Sequence, residues 1–173
     1  MTGGHGPGVG GSAGSGAGGG TGGVFEAATG DGPPPVPADA EQRSREIRTA
    51  LDGLLQIRRL THRQGDDPRA APAAWERRQP VRAVALALES GGLTPSSVDG
   101  SGARVGTGYR VTAGKRPGTA VVEWLGPPGS GAAQEESAAL GSCGPALARL
   151  GWEALLYKGP RGRRFLEVEP MEG

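Results

Sequence analysis

Two β-hairpin signatures on either side of one apolar-striped helix constrain this chain more than any other feature. Tyr109-Arg110-Val111 and Val121-Val122-Glu123-Trp124-Leu125 are joined through Gly114-Lys115-Arg116-Pro117-Gly118. Glu153-Ala154-Leu155-Leu156-Tyr157 and Arg164-Phe165-Leu166-Glu167-Val168 are joined through Gly159-Pro160-Arg161-Gly162. Runs rich in β-branched and aromatic residues, separated by short Gly/Pro turns, are the mark of paired antiparallel strands. Between the hairpins a helix is expected from about Ala132 to Leu150, where Leu140, Cys143, Leu147 and Leu150 fall on one face. Gly141, Gly144 and Pro145 weaken its middle and predict a bend. The result is a ββαββ unit built around a four-stranded sheet.

Short connections extend the argument to topology. They force the helix antiparallel to the second and third strands, which makes those two strands parallel, the crossover right-handed and the sheet mixed. The second and third strands are apolar on both faces and are expected at the centre, with both faces covered. The first and fourth alternate, with Arg110, Glu167 and Glu169 opposite Tyr109, Val111, Leu166 and Val168.

Upstream, a helix is expected from about Ala40 to Arg63. Asp39 caps it, with Gln42 completing a capping-box pattern. Ile47, Ala50, Leu51, Leu54 and Ile57 form its apolar stripe, and Arg45, Arg48, Arg59 and Arg63 project from a sector of roughly 60°. Gly65-Asp66-Asp67-Pro68 breaks it. A second helix is read from about Gln79 to Ser90, with Pro80 in its first turn and Val81, Val84, Ala85 and Leu88 in phase. Ala71 to Arg78 extends it upstream across a kink at Pro80, and Gly91-Gly92 end it. The predicted architecture is therefore α+β, with two N-terminal helices (helical region 38–92) packed on the ββαββ unit (93–170) as one domain. The helical region is expected to cover the second face of the sheet.

Residues 1–37 contrast with all of this. Fifteen are glycine, four prolines lie between 33 and 37, and only Val9, Val24, Phe25 and Val36 are sizeable apolar residues. Such a segment cannot bury enough apolar surface to offset its ordering entropy, so a disordered Gly-rich tail is predicted over 1–37. It lacks the basic start and apolar run of a signal peptide. No stretch approaches the roughly 18 apolar residues of a membrane span. A cytosolic protein without membrane association is expected.

Charge narrows the function classes further. The whole chain carries 19 Lys+Arg against 18 Asp+Glu. With the tail acids Glu26 and Asp31 set aside, 19 basic residues face 16 acidic ones, a net of +3 for 38–173. That is far from the strongly basic balance of an obligate nucleic-acid binder. One cysteine and two histidines, one of them His5 in the tail, exclude a disulfide framework and Cys-based zinc sites.

Gly141-Ser142-Cys143-Gly144 has the look of a nucleophile turn, but Pro145 occupies the position of the last glycine and no strand precedes it. Cys143 reads as a core thiol. Gly106 and Gly108 form a lone G-x-G with no helix after it, which is a flexible strand entry rather than a phosphate loop. Glu135-Glu136 suit a helix N-terminus and have no partner for paired acid–base work. No catalytic residue, metal ligand or cofactor site is expected.

Two basic groups remain as candidate contacts for an anion or nucleic acid. One is the hairpin tip with Lys158, Arg161, Arg163 and Arg164 between Tyr157 and Phe165. The other is the helix face with Arg45, Arg48, Arg59 and Arg63, which Asp52 partly neutralises. Exposed turns and helix faces carry such charges for solubility as well. The tip holding Lys115 and Arg116 is expected at the opposite end of the sheet.

The run Leu150-Gly151-Trp152-Glu153-Ala154-Leu155-Leu156-Tyr157, with Gly159 to Val168 behind it, resembles small uncharacterised proteins of Streptomyces-type actinobacteria. The likeness spans at most residues 104–170 and implies a bacterial cytosolic setting without a particular activity. The expected function is that of a binding or accessory protein without catalytic activity and with a protein partner. The alternative is a nucleic-acid-binding accessory factor that uses the two basic groups.

Overall fold

A computed structural model describes residues 25–36 and 39–172. Four helices, α1 (Ala40–Thr61), α2 (Ala74–Arg78), α3 (Pro80–Ser90) and α4 (Ala132–Ala148), accompany six strands. A short ribbon pairs β1 (Ser97–Val98) with β2 (Arg104–Gly106). The main sheet comprises β3 (Gly108–Ala113), β4 (Ala120–Leu125), β5 (Trp152–Lys158) and β6 (Arg164–Pro170) in the order β3-β4-β6-β5.

The helices form where local chemistry favours them. The Asp39 side chain accepts from the Gln42 N–H at 2.6 Å and opens α1. Pro80 stands in the first turn of α3, where its missing N–H costs nothing. The upstream extension is a separate one: α2 stops at Arg78, and Gln79 leaves helical geometry before Pro80. That break is the usual effect of proline on the residue before it.

The sheet differs from the mixed arrangement read from sequence. Every ladder in it is antiparallel: β3 with β4, β4 with β6, and β6 with β5. Strands β4 and β5 do share a direction across α4, but β6 lies between them. The cause is the β5–β6 hairpin, which requires β6 beside β5. Placing it inside buries Leu166 and Val168 beneath the helices.

The layers differ as well. Val84, Leu88, Tyr109, Val111, Val122, Leu140, Cys143, Leu147, Trp152 and Val168 form one core, in which α3 and α4 both lie on the same face of the sheet. The α1 helix packs behind α3 and does not reach the second face, contrary to expectation. That outer face carries Arg110, Glu123, Phe165, Glu167, Glu169, Leu155 and Tyr157 and stays open, all of them partly or fully exposed. An open face explains why β6 alternates in sequence although it is central: one side meets the core and the other meets water.

Residues 25–36, read as part of the disordered tail, are instead an ordered arm. The Val111 N–H donates to the Thr29 carbonyl at 2.7 Å, and the Val98 N–H to Gly32 at 2.9 Å. The Tyr109 hydroxyl donates to the Ala28 carbonyl at 2.8 Å. Gly30, at φ +93°, crosses so close to Tyr109 and Arg110 that a Cβ would collide with their backbone. Composition misled here because main-chain hydrogen bonds and the guanidinium groups of Arg43 and Arg104 hold the arm, with Ala27 packing against the core. The rest of the predicted tail, 1–24, lies outside the described residues. No helix among those described is long and apolar enough to cross a membrane.

Candidate functional site

The two edges of the sheet are treated differently. At the β3 edge, Tyr109 exchanges hydrogen bonds with the chain before β1: its N–H donates to Thr94, and its carbonyl accepts from Ser96. Thr29 of the arm then takes the Val111 N–H. At the other edge, β5 is bonded to β6 only, and no other backbone among the described residues reaches residues 152–158.

The composition of β5 makes this bareness unusual. Its Leu155 and Tyr157 point to the open face and Leu156 to the helix face, so it reads as a strand covered on both sides. At the edge, those residues are 38%, 45% and 57% exposed. Tyr157 is partly sheltered by stacking on Phe165, with ring centroids 5.7 Å apart. Edge strands are normally blunted by charge, proline or a bulge. Here only Glu153 and Lys158 carry charge, near the two ends.

The basic tip adjoins this edge. A 3-10 turn over Pro160–Gly162 links β5 to β6, and Arg161 occupies its left-handed position at φ 60°. A non-glycine residue pays conformational energy there. Lys158 and Arg161 are exposed and Arg164 is half-buried. Arg163 is differently employed: its Nε donates to the buried Glu136 carboxylate at 2.9 Å, and the other Glu136 oxygen accepts the Arg164 N–H at 2.7 Å. Arg163 thus locks the tip to the second turn of α4. The β-ladder registers put the Lys115–Arg116 turn at the other end of the sheet. Arg116 there reaches Glu167 and Glu169 at 3.4 and 2.5 Å.

On α1, Arg45, Arg48 and Arg59 are exposed, and Arg63 lies beyond the helix end at Thr61. Arg45 sits 3.7 Å from Glu41 in an exposed pair. The helix packs on α3 whereas the tip packs on α4, so the two basic groups occupy different layers. They do not form one surface.

Two arginines that sequence reasoning passed over are more deeply committed. Arg58 and Glu76 are both 0% exposed and meet fork to fork, Nε and Nη2 each donating at 2.7 Å. Arg58 also donates to the Pro68 carbonyl at 3.0 Å, and Glu76 accepts from the Ala73 N–H at 2.8 Å. Arg43 grips Glu89 at 2.8 and 2.9 Å, the Val36 carbonyl at 2.7 Å and the Glu26 carbonyl at 3.2 Å. Its guanidinium carbon lies 4.5 Å from the centre of the Phe25 ring. The signal was present in the spacing: positions 43 and 58 fall in phase with Ile47, Ala50 and Leu54 on the apolar stripe. An arginine there must find a buried acid.

The catalytic candidates fare as bland residues. Cys143 is wholly buried in the core, and burial pushes its thiol up to about 12. Burial, with the Glu89 carboxylate nearby, pushes the Tyr109 hydroxyl well above the ordinary tyrosine range. Gly106 and Gly108 lie in β2 and β3, ahead of no helix. Glu135 is an exposed first-turn residue of α4. Among the described residues no group of His, Cys, Asp or Glu could hold a metal ion. A hollow of about 600 Å³ lies between the β4–α4 loop, Arg104 and Arg163. Both cations are already paired, Arg104 with Asp31 at 2.9 Å and Arg163 with Glu136. No family model, curated protein or solved structure matches the chain.

Proposed function

We propose that this protein acts by binding another polypeptide rather than by catalysis, as an accessory module of the cytoplasm. The observation that carries the reading is β5. Its residues belong in a covered strand, yet Leu155, Leu156 and Tyr157 stand in water at an unpaired edge. An extended segment added beside β5 would satisfy its free N–H and C=O groups and shield these side chains, the mode known as β-augmentation. Cross-linking in the native host tests this. Partners should link through residues 153–158, and Leu156→Pro should abolish the links by removing a donor that faces the free edge, since the alternating β5–β6 bonds turn the Leu156 N–H outward. Links confined to α1 or to the Lys115–Arg116 turn would refute the reading.

A second reading rests on Arg161. Strained residues concentrate at functional positions, and Arg161 presents its charge beside Lys158 and Arg164. The tip would then contact phosphates, with Arg45, Arg48, Arg59 and Arg63 as a separate patch. Binding of DNA or RNA should weaken with salt at a log–log slope of about −3 to −4 for roughly four phosphate contacts. Reversing Arg161 and Arg164 to Glu should remove it. We rank this second because the folded part is only mildly basic and Arg163 is committed to Glu136.

A further inference from the structure

Resting on the first of these readings, we infer that the polypeptide added to β5 is the β5 strand of a second copy of this chain, so that two four-stranded sheets join edge to edge. The strand's own sequence carries this. It has seven residues, Trp152–Lys158. Antiparallel pairing of its solvent-reached run, 153–157, with itself puts the middle residue, Leu155, on the two-fold axis, opposite its own copy.

Every other rung of that register is compatible. On the open face, Glu153 meets the second copy's Tyr157, whose hydroxyl is a donor for the carboxylate. On the helix face, Ala154 meets Leu156, a small residue against a large one, while Trp152 is wholly buried and lies outside the pairing. No rung sets like charges against each other. Within one copy the opposite holds, since Glu153 faces Glu169 across the β5–β6 ladder, an unfavourable pairing. A tyrosine hydroxyl from the second copy offers Glu153 a favourable partner.

Moving the register by two residues loses this fit. Centred on Leu156 it leaves Glu153 facing Gly159 of the turn, and centred on Ala154 it leaves Tyr157 facing the buried Gly151. The helix face also has room beside Leu156, which is 57% exposed. A two-fold axis perpendicular to the sheet keeps helices with helices and open face with open face, giving one continuous eight-stranded sheet. Both copies use the same patch, as a closed two-fold interface requires.

Sedimentation of the full chain, combined with cysteine placement, tests this. The wild type should run at twice the 17.4 kDa chain mass. Leu155→Lys puts two ammonium groups face to face and should halve the observed mass while leaving the far-ultraviolet spectrum unchanged. In oxidising buffer Leu155→Cys should form an intermolecular disulfide, whereas Leu156→Cys, which faces Ala154, should not. The wild type is the control for the buried Cys143. A wild type that stays monomeric at its solubility limit overturns the inference, as does cross-linking at 156 in place of 155. Monomeric chain that still links to another protein through residues 153–158 would overturn the second copy alone and leave the binding reading standing.

Discussion

Converting Glu76 to Gln should be among the most damaging single changes available to this fold. The substitution preserves shape and removes one charge from a pair in which neither side chain touches solvent. The Arg58 guanidinium is then left in the interior without its counterion, and its Nε and Nη2 lose charge-assisted bonds of 2.7 Å each. Breaking a buried pair from one side costs about 3–5 kcal/mol. For a domain of this size that corresponds to a fall in Tm of roughly 6–20 °C. The double variant Arg58→Met, Glu76→Leu should recover part of the loss, because two apolar chains replace two buried ions. Recovery stays incomplete, since the Ala73 N–H and the Pro68 carbonyl lose their partners at about 1–3 kcal/mol apiece. Urea unfolding at neutral pH, with a common m-value across the series, reads the cycle. Additive losses, or a single-site loss below about 1 kcal/mol, would show the pair to be solvated and refute the reasoning.

Changing Cys143 to Ala should cost about 1 kcal/mol and abolish nothing; rapid labelling of the native thiol would contradict its burial. Because the folded thiol titrates near 12, above its ordinary value of 9.0, its contribution is whole below pH 9 and is lost as pH rises through 12. The wild type should therefore lose stability relative to Cys143→Ala across that window, by at most about 1.4 kcal/mol per pH unit. Replacing Arg43 with Ala should release the arm, giving chymotryptic cleavage at Phe25 that the wild type resists. Gly30→Ala should have the same effect through the clash with the β3 backbone, and unchanged protease resistance in both would show that the arm is held otherwise.

Much of the fold was legible because it rests on local chemistry. The Asp39 cap, the proline at the start of α3 and the two Gly/Pro turns each fix an element within a few residues of themselves. What was not legible was the relation between elements. β5 and β6 exchanged their expected places, because two-sided apolarity was read as centrality and alternation as an edge, and an open sheet face reverses both signs. The arm escaped notice because its attachments are to main-chain groups, which composition does not record. The candidate site was legible in part: the tip was visible as a cluster of charges, but the commitment of Arg163 to Glu136 depends on α4 arriving beside the hairpin. The bareness of β5 follows from strand order alone, which no single segment encodes.

The ordered arm has a consequence for assembly. A sheet with two unsatisfied edges behaves as a bivalent unit, and bivalent units that meet through unlike edges add without limit. By occupying the β3 side, residues 28–32 and 94–96 reduce the valency to one. Association through the remaining edge is self-terminating, since the pair that forms has no vacant edge left. Detaching residues 25–36 would free the Val111 N–H and bare that part of the β3 edge, while 94–96 would still cover Tyr109.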